Sequence, residues 1–386
     1  MINFDNTEVA FQQKSTADLN TSYWLFKIIG WNWLIKIGPT LLKLFLPLWF
    51  PVPIIKSTIF KQFCGGESIE DCNETITALG QQNVKTILDY SVEGKEEESV
   101  FNENTQEALK AIQVAKSNPL IPFCVFKVTG FGRFALLQKI NANISLHQKE
   151  EAELERLKYR IDSICKSAYE AHVPIFIDAE ETWIQDVIDS IALEMMRKYN
   201  QEKAIVYNTA QMYRWDRMAY LKELKSLAEI ENFYVGIKLV RGAYIEKERE
   251  RAAKLGYKDP MQKDKESTDR DFNLALNYCI ENINRIAFCC GSHNEYSSNY
   301  LAQLMKKHAI AVDDDRVYFA QLLGMSDHIS MNLSNANYNV AKYVPYGPVK
   351  DVMPYLIRRA EENTSVAGQT SRELSLILKE KARRKA

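Results

Sequence analysis

Polar or charged residues follow most of the short apolar runs in this sequence, at the points where strands are predicted to end. An aspartate follows the first run, a lysine the second, and the acidic segment Asp178–Glu181 the third. The full set is Asp89, Lys127, Asp178, Gln211, Lys238, Arg241, Ser292, His293, Gln321 and Tyr343. Since the carboxyl ends of barrel strands meet on one face, these residues together predict a polar pocket there.

Four residues near the carboxyl end share one face of a predicted helix. Tyr355, Arg358, Arg359 and Glu362 stand at positions i, i+3, i+4 and i+7, so two guanidiniums lie between a phenol and a carboxylate. Paired guanidiniums offer planar donors that match a carboxylate or a phosphate, and Glu362 could hold one of them in place. A surface ion-pair network is the alternative; the tyrosine and the preceding Gly347–Pro348 turn favour anion binding.

A glycine pattern at residues 130–135 matches the GxGxxA fingerprint of dinucleotide sites, but its context argues against that function. The acids at the right distance, Glu150 and Glu151, begin a charged helical segment instead of ending a second strand. No histidine has a partner at metal-ligand spacing, and the sequence has no G-x-S-x-G elbow. We therefore expect neither a metal site nor Ser-His-Asp hydrolysis.

From about residue 82 onwards, short β-branched runs alternate with long amphipathic stretches. The predicted strands are Val84–Leu88, Phe123–Val128, Val173–Ile177, Ala204–Tyr207, Tyr234–Leu239, Ile286–Cys289, Val317–Phe319 and a short last strand before Tyr343. The predicted helices include Lys149–His172, Trp183–Lys198, Tyr213–Ala228, Phe272–Asn282 and Ser297–Lys307. Eight strand–helix units over about 300 residues favour a (β/α)8 TIM-like barrel, an α/β fold, over a doubly wound sheet.

Residues 23–55 have an unusual composition, with four of the six tryptophans among leucine, isoleucine and phenylalanine. Three lysines and four prolines interrupt the stretch, so no run reaches the roughly 20 apolar residues of a membrane span. Two interpretations stay open: helices packed on the main domain, or an interfacial membrane anchor with tryptophan at headgroup depth. We expect an N-terminal helical, apolar extension over residues 1–75 and a barrel domain over residues 76–386.

Composition and charge exclude several classes of protein. With 49 basic and 50 acidic residues the formal charge is −1, so no overall field attracts nucleic acid. Hydrophobic residues make up 46% of the chain, which is too many for a disordered protein. Seven cysteines without a CxxC pair indicate buried thiols in a reducing compartment. Residues 1–20 lack the apolar core of a secretory signal, so we expect a cytoplasmic protein.

Three segments together resemble the proline dehydrogenase family: Asp178-Ala-Glu-Glu181, Lys238-Leu-Val-Arg-Gly-Ala-Tyr244 and Tyr355-Leu-Ile-Arg-Arg-Ala-Glu-Glu-Asn363. The resemblance covers about residues 82 to 370 and is closest to the monofunctional, mitochondrial-type branch. It implies a distorted (β/α)8 barrel that binds FAD without a covalent bond. It also implies oxidation of L-proline to Δ1-pyrroline-5-carboxylate, with a hydride passing from C5 to flavin N5 and electrons passing to a membrane quinone.

The resemblance also assigns roles to individual residues. It implies that the proline carboxylate meets cationic side chains and that aromatic and aliphatic side chains enclose the ring; these are Lys127, Arg358, Arg359, Leu239, Tyr244, Tyr343 and Tyr355. It implies that the FAD contacts are Gln211, Lys238, Arg241, Gly242, Ala243, Lys265, Thr268, Ser292, His293 and Glu362. Lys238 would lie near N5. Asp178 would either bind Lys127 and the substrate site or help to set the proton state of the site, and both residues are implied to be catalytic. Pro354 is expected to begin or kink the last helix of this region.

Several alternatives stay open at this stage. Tyr343 favours proline, because its bulk would press on the C4 hydroxyl of hydroxyproline, but a hydroxyproline-preferring relative is the nearest alternative. Another flavin barrel reductase and a non-catalytic, membrane-associated scaffold are the others. The expected partners are L-proline, a quinone and a peripheral membrane contact through residues 23–55. We expect the chain on the inner membrane if it is peripheral, and in mitochondria if the host is eukaryotic.

Overall fold

Eight strands close into a barrel in a computed structural model of the chain, which describes residues 2–29, 52–92, 96–365 and 369–385. The strands follow one another around the barrel in chain order. They are β1 Lys85–Tyr90, β2 Phe123–Lys127, β3 Ile175–Asp178, β4 Val206–Gln211, β5 Val235–Val240, β6 Ile286–Gly291, β7 Val317–Leu322 and β8 Val340–Tyr346. The predicted (β/α)8 barrel is confirmed.

Helices surround the strands, because apolar residues recur along one side of each amphipathic stretch and pack on the sheet. Before β1 the helices are Thr7–Ala10, Thr16–Ile29, Val52–Ile55, the π-helical turn Lys56–Phe60, Lys61–Phe63 and Asn73–Gly80. Between β1 and β8 they are Glu98–Ser117, the 3-10 turn Val128–Gly130, Phe134–Asn141, Gln148–Ala171, Thr182–Tyr199, Arg217–Glu231, Ile245–Leu255, Lys265–Glu281, Glu295–Lys307 and Asp327–Asn335. Met353–Ser365, which begins next to Pro354 as expected, and Gln369–Arg383 follow β8.

The eighth strand is longer than predicted. The prediction ended this strand before Tyr343, whereas β8 runs from Val340 to Tyr346 and every residue in it is buried. Lys342, at the middle of the strand, broke the apolar pattern from which the strand was predicted. Most other strands run further at their carboxyl ends than predicted, because side chains at that end face a polar region and need not be apolar.

The segment with the GxGxxA pattern does not form a dinucleotide-binding turn. A 3-10 turn, Val128–Gly130, follows β2 and leads into the short helix Phe134–Asn141. Glu150 lies in the first turn of Gln148–Ala171, where it forms a capping box with His147. This acid therefore begins a helix, in agreement with the argument from the sequence.

The chain divides into two compact units, Gly94–Ala320 and Ile2–Glu93 with Gln321–Ala386. In the first unit, an aromatic cluster fills the space between strands: the Phe123 ring stacks on Phe176 with centres 4.5 Å apart and meets Tyr207 and Tyr318 edge-on. Aromatic pairs in these geometries add to the stabilisation from burial. The predicted domain boundary between residues 75 and 76 stays a prediction.

In the second unit, the helix Thr16–Ile29 packs on the helix Gln369–Arg383. Leu19 and Phe26 are buried in the same apolar cluster as Leu376 and Ile377. This supports the packing interpretation for residues 23–29, whereas residues 30–51 of the apolar stretch lie outside the described residues. Among the described helices, none is long and apolar enough to cross a membrane.

A group of charged side chains is also buried in the second unit. Asp327 accepts from Lys14 at 2.8 Å and from Lys342 at 2.9 Å, and Lys342 is fully buried. Lys342 also donates to the carbonyls of Leu322 and Met325. Burial alone would raise the pKa of Asp327, but the two lysines outweigh it and hold the pKa well below its ordinary value. The cluster links the N-terminal segment, β8 and the helix after β7.

Replacing Asp327 by asparagine should destabilise the protein strongly, because the fully buried ammonium of Lys342 and the partly exposed ammonium of Lys14 lose their counter-charge. We expect the free energy of unfolding, measured by urea denaturation, to fall by about 3–5 kcal/mol. Glu229→Gln is the matched control: its ion pair with Lys225 is at the surface, and its loss should change stability by less than about 0.5 kcal/mol.

The destabilisation caused by Asp327→Asn should also depend on pH. Since the folded-state pKa of Asp327 is lowered, its stabilisation is present above the ordinary value of 3.8 and is lost as the pH falls below it. Equal stability of the Asp327→Asn and wild-type proteins at neutral pH would contradict the assignment.

Candidate active site at the strand ends

The buried Lys238 and the half-buried Asp178 form an ion pair near the carboxyl ends of β5 and β3. Nζ of Lys238 donates to Oδ1 of Asp178, and Lys238 is only 4% exposed. The same Nζ lies 5.3 Å from the centre of the Phe176 ring, which belongs to the aromatic cluster. The ammonium of Lys238 is thereby held beside the Phe176 ring, with the carboxylate of Asp178 as its counter-charge. The sequence singled out both residues, and the structure brings them together.

Lys127 and Gln211 lie on either side of this pair. Lys127 is the residue opposite Asp178 in the β2–β3 register. Gln211 ends β4 and donates from Nε2 to the backbone oxygen of Glu180 at 2.7 Å. The two predicted residues and the Lys238–Asp178 pair therefore occupy the ends of four consecutive strands, which is where barrel enzymes carry their chemistry.

Arg241, just after β5, is held by a set of oxygen acceptors. Its guanidinium donates to Asp269 at 2.7 Å, to Oγ of Ser292 at 2.9 Å and to Oγ of Ser297 at 3.0 Å. It also lies 4.3 Å from the centre of the Phe272 ring. Ser292 was predicted as a partner in this region; Ser297 and Phe272 were not, since each lies inside a helix without a distinguishing motif.

The other predicted cofactor residues of this unit differ in their surroundings. Lys265 pairs with Asp269, which also accepts from Arg241. We call these residues, with Ser292 and Ser297, the Arg241 group. Thr268 is buried and donates to the backbone oxygen of Asp264, one turn earlier in its own helix. His293 is half-buried after β6, and Ala243 is exposed after β5.

The turn after β5 contains a glycine for a steric reason. Gly242 has φ +132°, and a Cβ at this position would lie 2.6 Å from the Tyr213 ring. Tyr244 follows and forms the N-cap position of the helix Ile245–Leu255, while Leu239 is completely buried within β5. The backbone here can pass close to a ligand that a side chain would block.

The donors in this unit fit a flat, phosphate-bearing cofactor such as FAD. Lys238 offers a fixed cation beside an aromatic layer, and Arg241 offers a second cation near the N-terminal turn of the helix Glu295–Lys307. The hydroxyl of Tyr213 and Nη1 of Arg214 are buried and have no hydrogen-bond partner among the described residues. Buried donors of this kind are expected where a ligand supplies the acceptor.

The second unit contains the predicted anion-binding face. Tyr355 and Arg359 are buried on the helix Met353–Ser365, and the guanidinium of Arg359 lies 5.1 Å from the centre of the Tyr355 ring. Arg358 is half-buried, and Tyr343 is buried in β8. The side chain of Glu362 lies outside the described residues. Helical spacing alone predicted that Tyr355 and Arg359 would meet.

Fold and strand-end residues together define a (β/α)8-barrel enzyme. The sequence profile of the family described as proline dehydrogenase matches residues 72–372. Proline dehydrogenase 1, mitochondrial, of Dictyostelium discoideum is 32% identical to the chain over 98% of this chain and 74% of that protein. The chain belongs to the proline dehydrogenase family, and the predicted enzyme class is confirmed.

Other relatives are similar over much of the chain, and a solved structure shares its fold. The human proline dehydrogenase 1, mitochondrial, is 42% identical over 61% of this chain and 40% of that protein. The carbapenem antibiotics biosynthesis protein CarD of Pectobacterium carotovorum is 33% identical over 83% of each chain. Proline utilization A of Bdellovibrio bacteriovorus shares the fold, with a TM-score of 0.73 at 19% identity. The match covers 94% of this chain, which spans only 36% of that structure.

Gly242→Ala should destabilise the protein more than Gly256→Ala. Both glycines have positive φ, but a Cβ at Gly256 would meet nothing within 4 Å. The difference combines the clash with Tyr213 and the less accessible φ of Gly242, which together we expect to cost about 2 kcal/mol in the free energy of unfolding. Urea denaturation of the two variants measures it. Equal destabilisation would mean that the Tyr213 ring moves aside freely.

Proposed function

We propose that this protein oxidises L-proline to Δ1-pyrroline-5-carboxylate with non-covalently bound FAD, as a step of proline breakdown. The observation that carries the proposal is the Lys238–Asp178 pair beside Lys127, in a chain that belongs to the proline dehydrogenase family. A fixed cation at this position suits a cofactor that gains negative charge when it is reduced.

For the cofactor, we assign Lys238 and Gln211 to the flavin ring and the Arg241 group to the phosphates. Bound FAD supplies a two-electron acceptor that no amino-acid side chain provides. Arg241 is already oriented by Asp269 and Ser292, so it presents its charge without reorganisation. Gly242 lets the backbone approach, and Tyr213 and Arg214 contribute buried donors. Ala243, Lys265, Thr268, His293 and Glu362 are further contacts proposed from the resemblance.

For the substrate, we assign Lys127, Arg358 and Arg359 to the proline carboxylate. Three cations suit a small zwitterion, because the carboxylate is its strongest point of attachment. Leu239, Tyr244, Tyr343 and Tyr355 are proposed to enclose the ring and exclude water, which favours the neutral amine. Asp178 already accepts from Lys238, so its role is to hold that cation in place. The bulk of Tyr343 favours proline over hydroxyproline.

An anaerobic visible spectrum of the purified protein, before and after addition of L-proline, tests the proposal. We expect a flavin band near roughly 450 nm that proline bleaches and that trans-4-hydroxy-L-proline bleaches more slowly. Faster bleaching by hydroxyproline would favour the hydroxyproline-preferring relative. A flavin band indifferent to both would favour another flavin reductase, and a protein that binds no added FAD would be a non-catalytic scaffold.

We also propose that the electrons pass to a membrane quinone and that the chain docks on the membrane surface through residues 23–55. Trp24 is 57% exposed, and the ammonium of Lys27 lies 4.9 Å from the centre of its ring. An exposed tryptophan beside a lysine suits the headgroup region of an anionic membrane. Relatives are named as mitochondrial proteins, which fits a location at the inner membrane in a eukaryotic host.

Replacing Trp24 by serine together with Lys27 by glutamine should weaken membrane binding and quinone-linked turnover, while turnover with a soluble dye is retained. Loss of the lysine alone accounts for about 1 kcal/mol of binding to an anionic surface. Co-sedimentation with phosphatidylserine vesicles measures the binding. The matched control is Trp215→Ser with Lys258→Gln, an exposed Trp–Lys pair elsewhere in the chain; equal losses in both variants would contradict a specific docking surface.

A further inference from the structure

Glu180 is a buried acid that has no role in the proposed function so far. It lies two residues beyond Asp178 at the end of β3 and is 5% exposed. A buried carboxylate is retained in a fold only where hydrogen bonds or nearby cations offset its loss of water. The groups around Glu180 therefore show what it does.

Four hydrogen bonds connect Glu180, which follows β3, to the ends of two neighbouring strands and to a helix. Its carboxylate accepts from the backbone N of Thr129 at 3.1 Å and from Oγ1 of Thr129 at 2.6 Å. Its backbone N donates to Gln185 at 2.8 Å, and its backbone oxygen accepts from Gln211 at 2.7 Å. Thr129 follows β2, Gln211 ends β4, and Gln185 lies in the helix Thr182–Tyr199. Glu180 thus joins the segments that carry Lys127, Asp178 and Gln211.

Two charged groups act on the carboxyl of Glu180. Lys127 favours its ionised form, and Glu181, its neighbour in the chain, disfavours it. The other contacts, from Thr129, Gln185 and Gln211, are uncharged. Burial has the largest effect on the pKa of Glu180. It outweighs the opposing effects of Lys127 and Thr129 and raises this pKa to about 7. The carboxyl therefore changes charge near neutral pH.

We propose that Glu180 is a positioning residue that fixes the ends of β2, β3 and β4 and competes with the substrate carboxylate for the charge of Lys127. The proposal rests on the proposed function, in which Lys127 binds that carboxylate. Glu180 lies within the segment Asp178–Glu181 that carries the family resemblance, but neither the motifs nor the resemblance assigned a role to it.

The competition has a defined direction. When Glu180 is ionised, a bound substrate carboxylate is a second anion near Lys127 and is disfavoured. When Glu180 is protonated, its repulsion of the substrate carboxylate is removed. Binding of a carboxylate should therefore raise the pKa of Glu180 and take up protons on the alkaline side of that pKa, by thermodynamic linkage.

The test measures binding of tetrahydrofuran-2-carboxylate, in which an oxygen replaces the ring nitrogen of proline. This probe has the carboxylate but no amine to titrate, so any pH dependence near neutrality comes from the protein. Isothermal titration calorimetry of the full chain with FAD, in buffers of different ionisation enthalpy, gives both affinity and proton uptake. We expect affinity to fall about fivefold to tenfold as the pH rises through the Glu180 pKa, with at most about half a proton taken up.

Three variants separate Glu180 from other titrating groups. Glu180→Gln should abolish both the pH dependence near neutrality and the proton uptake, because glutamine does not titrate. Thr129→Val removes a hydrogen bond that favours the ionised form, so the transition should move to higher pH. Glu181→Gln is the matched control: Glu181 pairs with Lys247, and its removal should keep the transition but move it to lower pH, since Glu181 raises the Glu180 pKa.

The outcomes distinguish this inference from the proposed function. A wild-type protein that neither binds the probe nor oxidises proline would overturn the proposed function. A wild-type protein that oxidises proline but binds the probe equally at all pH values, or a transition that persists in Glu180→Gln, would overturn the role of Glu180 alone. If Glu180→Gln does not fold, the opposite shifts of Thr129→Val and Glu181→Gln decide the question.

Discussion

A positive charge inside a barrel is stable only when a negative charge lies beside it, and the Lys238–Asp178 pair meets this condition in the first unit. The two residues come from strands separated by β4, so the pair forms only after β3, β4 and β5 have assembled in order. The aromatic cluster beneath it removes water and strengthens the interaction. Lys127, Gln211 and Glu180 are arranged around this pair, and their positions depend on the same strand order.

The acids at the end of β3 illustrate how the environment assigns chemistry to similar residues. Asp178 is paired with Lys238, and Glu180 accepts from the hydroxyl and amide of Thr129. Glu181 is also buried and is paired with the exposed Lys247. Burial raises the pKa of Glu180 to about 7, against the opposing effects of Lys127 and Thr129. Three acids within four residues therefore have three different sets of partners, and these partners lie on other segments of the chain.

The second unit uses buried charge for a different purpose. Lys342 is the residue before Tyr343 in β8, and its ammonium is neutralised by Asp327 instead of by solvent. The cluster fastens β8 to the helix after β7 and to Lys14 of the N-terminal segment. The same lysine explains why the sequence predicted β8 as too short a strand. It interrupts the apolar pattern of a fully buried strand, and only Asp327, its distant partner, explains why a lysine is tolerated there.

The sequence by itself determined the eight strand–helix units, the polar strand ends, the Tyr355–Arg359 face and the family, because periodicity and short motifs are local properties of the chain. It also singled out Lys127, Asp178, Gln211, Lys238 and Arg241. Only the tertiary structure decided which of these meet, that Ser297 and Phe272 hold Arg241, and that Glu180 differs from its two acidic neighbours. The physical reason is that burial and charge pairing join residues far apart in the chain, such as Lys238 and Asp178, and no local pattern records those partners.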